Sequence, residues 1–176
     1  MIGLGIDPGS KKCGWAIVDL EAKKVIAKGH DDLNEMRKVI QGEHGLFDEV
    51  IIEMLVRYHG SNSIDLLGTA YAIGRLREMI YTHSSALALK EFTRPEVIFR
   101  LTGRWPGKSH KVSKADLQKV VQKLLKLDNP IRPQHANDAA ALVIATTHPV
   151  KAILNVKSRQ GRKPAQTQSR RRPQHT

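Results

Sequence analysis

MIGLGIDPGSKKCGWAIVD, Met1 to Asp19, is the stretch whose reading decides the fold. Gly3 to Asp7 is a short apolar run that ends on a carboxylate, and Gly14 to Asp19 is a second apolar run. Pro8-Gly9-Ser10 punctuates the two, which predicts strand, turn, strand, with Gly9 supplying positive φ in a tight turn. An isolated carboxylate at the end of a buried strand is costly unless it is paired or bound to a cation. Asp7 therefore calls for partners, and the rest of the chain can be searched for them.

Working outward, Lys24 to Gly29 reads as a third strand adjacent to the first two, and antiparallel to its neighbour. Leu33, Met36, Val39 and Ile40 recur at helical spacing between Asp31 or Asp32 as cap and Gly42 as stop. Asp48 to Met54 is a buried strand ending near Glu53. A long helix follows from about Ser63 to Tyr81, with Ile64, Leu67, Tyr71, Leu76 and Ile80 apolar and Gly68, Ala72 and Gly74 small. Leu87 to Phe92 is a fifth strand. Thr93 and Pro95 open a helix that runs to about Gly103, and Ser113-Lys-Ala-Asp116 caps another with Leu117, Val120, Val121, Leu124 and Leu125 on one face. After the break at Asn129 to Pro133, His135 to His148 is a buried helix, almost wholly apolar beyond Asp138. Strands first, then strands alternating with helices, predict an α/β domain on a mixed sheet.

The 176 residues suit one domain with an ordinary core. A net charge of +12 is unevenly spread: from Lys151 onward there are eight Lys or Arg residues and no acid, leaving about +4 on the first 150. Residues 1–150 are therefore read as the folded domain and 151–176 as a basic tail that orders only with a partner. Such a tail is either a solubilising segment or a contact for a polyanion, nucleic acid first among them. One cysteine, Cys13, leaves no internal disulfide framework and fits a cytoplasmic, reducing setting. No apolar run is long enough for a membrane span, and the opening residues do not read as a signal peptide. Eight scattered histidines with no paired ligand spacing argue against zinc.

Three acids share an unusual setting: Asp7 and Glu53 at strand ends, and Asp138 at the start of the last helix with His135 three residues before it. Each has an ordinary reading, Asp7 as a turn residue, Glu53 as an exposed strand end and Asp138 as a helix N-cap. Gathered together, they make an oxygen-rich site for a hard divalent cation such as Mg²⁺. Two ions about 4 Å apart can activate a water and stabilise the leaving oxygen of a phosphodiester.

Gly5-Ile-Asp-Pro-Gly-Ser10, Ile52-Glu53, and His135-x-x-Asp138 before an alanine-rich helix resemble the RuvC family of Holliday junction resolvases. The resemblance extends to the helix after Glu53 and to Ser113 to Leu127, and so covers most of residues 1–150. It implies an RNase H-like mixed five-stranded sheet flanked by helices. It also implies a homodimeric endonuclease, dependent on Mg²⁺ or Mn²⁺, that nicks four-way DNA junctions symmetrically and uses no small-molecule cofactor. Asp7, Glu53, His135 and Asp138 match the family's metal-site positions, and Lys114 matches a basic residue used near the scissile phosphate. The Asp7 to Glu53 span is shorter than in bacterial members, which implies a trimmed sheet edge or connecting helix and would suit a viral source; location would then be the host cytoplasm, and otherwise the nucleoid. The long helix after Glu53 would form the dimer, with Gly68, Ala72 and Gly74 permitting close packing on a partner or on its own sheet. Tyr58 or His59 could stack on opened bases or simply anchor their loop. Arg104, Lys108, His110, Lys111 and Lys114 form a cationic run suited to phosphate, within which Trp105 reads equally as a core plug or a stacking residue. Competing readings are an RNase H-like ribonuclease acting on hybrids or structured RNA, and a non-catalytic junction binder; an ATP-using relative of actin would need a longer chain.

Overall fold

The computed structural model describes residues 1–44, 46–56, 63–84, 86–107 and 112–147. Strands β1 (Ile2–Asp7), β2 (Cys13–Asp19) and β3 (Lys24–Asp31) form an antiparallel meander, and helix α1 (Leu33–Ile40) leads to β4 (Glu49–Met54). Helix α2 (Ser63–His83) connects to β5 (Ala88–Thr93), after which α3 (Arg94–Thr102), α4 (Lys114–Leu124) and α5 (Gln134–Thr147) complete the order. The sheet runs β3-β2-β1-β4-β5, with β4 parallel to both β1 and β5. This is the expected mixed five-stranded sheet. All five strands are present, and between β3 and β4 the chain carries one helix, α1, of eight residues.

The two faces of the sheet carry separate cores, as strand alternation requires. Leu4, Ile6, Trp15, Ile17, Val50 and Ile52 pack against Met36, Val39 and Ile40 of α1 and Leu76, Met79 and Ile80 of α2. Ala16, Val18 and Ile51 face α5, which is buried continuously from Ala136 to Ala145, with α3 and α4 packed outside it. Helix α5 can lie directly on the sheet because the facing positions of β1 and β2 are glycines. A Cβ on Gly5 would stand 2.0 Å from the Ala139 carbonyl oxygen, and one on Gly14 would stand 2.4 Å from the His135 Cβ. Close approach is also what Gly9 serves: its φ lies outside the positive range, contrary to the turn expectation, and a Cβ there would meet the Lys12 carbonyl oxygen at 2.5 Å.

Local signals set the helix ends. Asp32 caps α1 by accepting from the Asn34 and Glu35 N–H groups, and Gly42 adopts φ 90° beyond it. Glu96 accepts from both the N–H and the hydroxyl of Thr93, which fixes the start of α3, and Gly103 ends it at φ 72°. Along α2 the apolar set divides. Leu76 and Ile80 are buried, whereas Ile64, Leu67 and Tyr71 are 77%, 72% and 66% exposed. Ala72 is buried and Gly68 lies against Ser10, so of the three small residues only Gly74 faces open space.

Candidate active site

The sheet register assembles the site before any side chain is considered. Asp7 pairs with Gly14, and Gly14 with His30, in one transverse row; Ile6 pairs with Ile52, which sets Glu53 beside Asp7 at the carboxyl ends of parallel strands. Alternation turns Asp7 and Glu53 toward the face covered by α5, the same face as Gly5 and Ile51. Because Gly14 has no side chain, the first turn of α5 settles onto this row and brings His135 and Asp138 with it. The Nδ1–H of His135 donates to Asp7 Oδ2 at 2.8 Å, and the His30 ring stacks on the His135 ring with centroids 4.8 Å apart. Ligand atoms of Asp7, His135 and Asp138 all lie within 4.8 Å of one another.

The charges in this corner are poorly solvated. Burial, and then the neighbouring Asp7 charge, push the Glu53 carboxyl up from the ordinary 4.5 to about 8, with Asp138 adding to the effect and Arg94 and Lys114 opposing it. The hydrogen bond to Asp7 raises the His135 imidazole above its ordinary range. Asp138 has a side chain only 2% exposed, and its Oδ2 lies 3.3 Å from Arg94 Nη1; its buried Oδ1 has no hydrogen-bond partner. A buried, unpartnered carboxylate oxygen beside a second carboxylate and an imidazole is what a divalent cation would satisfy. The residues present therefore fit a metal ion. With its Nδ1–H committed to Asp7, His135 keeps Nε2 for a ligand, the usual division of labour in a metal-binding histidine.

The structure brings together Asp7, His135 and Asp138, with Glu53 alongside. Asp138 lies inside α5, four residues after its first, so the N-cap reading fails, and the other acids are likewise neither a turn cap nor an exposed strand end. Lys114, exposed at the first position of α4, is near enough for its charge to depress both the Glu53 and the His135 pKa. Arg104 is exposed just beyond α3. Trp105 is 56% exposed and stacks on Phe99, so it is no core plug. Tyr58, His59, Lys108, His110 and Lys111 lie outside the described residues, as does the basic tail. Sequence reading missed two residues of the site. Arg94 looked like a helix-start residue, and His30 fell just past the strand read at Lys24 to Gly29; only the strand pairing shows either to be at the acidic end of the sheet. A cleft of about 220 Å³ opens onto the acids, lined by Asp7, Glu53 and Arg94 and walled by Met54, Leu55 and Leu66.

Carboxylates at the ends of two adjacent parallel strands, completed by a helix lying on the same face of this mixed sheet, give the acid arrangement expected of the RNase H-like class, one that could hold a divalent cation. The family model described as "Crossover junction endodeoxyribonuclease RuvC" matches residues 3–148. A protein of that name from Campylobacter lari is 31% identical over 167 residues, covering 88% of this chain and 98% of its own. One from Cutibacterium acnes is 29% identical over 161 residues, covering 80% and 75%. Among solved structures, "T. thermophilus RuvC in complex with Holliday junction substrate" superposes with a TM-score of 0.65 at 16% identity, covering 82% of this chain and 92% of that one, which establishes likeness of fold. This chain belongs to the RuvC family of crossover junction endodeoxyribonucleases.

Proposed function

We propose that this chain resolves four-way DNA junctions by metal-dependent phosphodiester hydrolysis, leaving paired symmetric nicks. The observation that carries the reading is the cluster of Asp7, His135 and Asp138 within 4.8 Å, with the buried Glu53 beside it. Those four residues would hold Mg²⁺ or Mn²⁺, two ions per site, and the metal supplies an activated water and stabilisation of the leaving oxygen. The chain's own residues do the rest. Asp7 is held by the His135 N–H, while His30 stacks on the imidazole plane. Lys114 reaches toward the scissile phosphate from the start of α4. Arg104, Lys108 and Lys111 hold flanking phosphates, Tyr58 and His59 stack on bases opened at the crossover, and residues 151–176 add affinity that is independent of sequence.

Paired nicks need two sites. Ile64, Leu67 and Tyr71 line one exposed face of α2 at i, i+3, i+7 spacing, and a contiguous apolar surface of this kind favours association. The active form is accordingly a homodimer joined through α2, working in the cytoplasm on DNA. A ribonuclease or a binding-only role is less well supported, since relatives are named deoxyribonucleases and three gathered carboxylates would repel DNA to no purpose in an inactive protein.

Cleavage of a labelled four-way junction, compared with linear duplex, a fork and an RNA–DNA hybrid in Mg²⁺, Mn²⁺ or EDTA, tests this directly. Symmetric nicks in the junction alone, lost in EDTA, are expected. Cutting confined to the hybrid would overturn the substrate assignment.

A further inference from the structure

None of the roles above uses Arg94, yet its guanidinium stands within the acidic cluster. The pairing of Met54 with Thr93 and of Glu53 with Phe92 brings the end of β5 level with Glu53, and Arg94 is the next residue. The capping box of Thr93 and Glu96 holds this helix start in place. From there Nη1 reaches 3.3 Å from Asp138 Oδ2 and 3.9 Å from Glu53 Oε2, with the Arg94 side chain only 25% exposed. A single guanidinium thus serves the carboxyl groups of Asp138 and Glu53, which repel each other and Asp7 whenever both are ionised.

A divalent ion would be drawn to the same oxygens. We propose that Arg94 is a resident counter-cation that competes with the metal for Asp138 and Glu53, so that ion loading requires the guanidinium to leave the carboxylates for the adjoining cleft. The inference rests on the metal-site reading above. Its energetic content is an exchange: the same arginine stabilises the metal-free protein and weakens metal affinity. Two like charges sharing a poorly solvated pocket repel strongly enough to change affinity by about tenfold or more.

The experiment is Mn²⁺ titration of the full-length protein without DNA, followed by electron paramagnetic resonance of the free ion, for wild type, R94Q, R94K and D7N. Thermal unfolding is measured in parallel in EDTA and in Mn²⁺. R94Q is expected to bind Mn²⁺ at least about tenfold more tightly than wild type, to melt lower in EDTA and to gain more from added Mn²⁺. R94K, which keeps the charge, is expected to stay close to wild-type affinity. Equal or weaker binding by R94Q, or R94K binding as tightly as R94Q, would overturn the proposal while leaving the metal site standing. Absence of Mn²⁺ binding by wild type and R94Q alike would remove the metal-site reading, and the proposal with it. Should R94Q not fold, nitrogen-15 NMR of the wild-type arginine side chains during Mg²⁺ titration decides instead. The Arg94 guanidinium resonance is expected to shift as Mg²⁺ loads, and an unmoved resonance contradicts the exchange.

Discussion

Replacing Glu53 by Gln should stabilise the metal-free protein, and do so only at neutral to alkaline pH. The folded state holds Glu53 protonated up to about pH 8, because the carboxyl is buried and faces Asp7, whereas the unfolded chain ionises it near 4.5. Between those values the unfolded chain binds fewer protons than the native one, so stability falls as pH rises. At 1.36 kcal/mol per unit, the full rise corresponds to a ceiling of about 5 kcal/mol above pH 8, and less than about 1 kcal/mol at pH 5. Part of the repulsion remains between Asp7 and Asp138 in E53Q, and Arg94 loses a carboxylate partner, so the expected net gain is about 2–3 kcal/mol at pH 8.5. His135 acts in the opposite sense: its raised pKa gives stability that is present below 6.5 and lost as pH rises through the folded value. Both proteins carry that term, so the comparison largely removes it. Urea unfolding of wild type and E53Q at pH 5 and 8.5 in EDTA is the assay. A difference that does not grow with pH, or a wild type more stable at pH 8.5, would refute the reasoning.

Gly5→Ala should cost about 3 kcal/mol or prevent folding, because the added Cβ meets backbone of α5 rather than a side chain that can rotate away; chemical denaturation measures it. Leu67→Asp, on the exposed face of α2, should leave the fold intact and shift sedimentation from dimer to monomer, with paired nicking lost. Removing residues 157–176 should lower junction affinity and flatten its dependence on salt, since fewer counterions are released; an unchanged slope would make the tail a bystander.

The sheet was legible because each strand carries its own signal, apolar runs bounded by Pro, Gly and Asp, and because Asp32, Ser113 and Gly103 mark helix ends by local chemistry. Asp7, Glu53 and Asp138 stood out for a related reason: carboxylates next to buried runs are costly, and sequence shows that cost. Arg94 and His30 gave no such warning. An arginine at a helix start and a histidine in an edge strand are ordinary locally, and their importance comes from the registers of β4 with β5 and of β2 with β3, which are non-local. The same limit applies to α2, where Ile64, Leu67 and Tyr71 share the apolar character of Leu76 and Ile80. Which end of that helix meets the sheet depends on where β4 and α1 lie. Gly9 shows the reverse case, a residue correctly placed in the turn but for steric room rather than for positive φ.

The central claim is that the carboxylate cluster holds the metal that cuts the junction, and Asp7→Asn tests it most directly. The variant should bind a four-way junction as well as wild type or slightly better, having lost a charge that repels phosphate, and should not cleave it in Mg²⁺ or Mn²⁺. Wild-type cleavage by D7N would contradict the account.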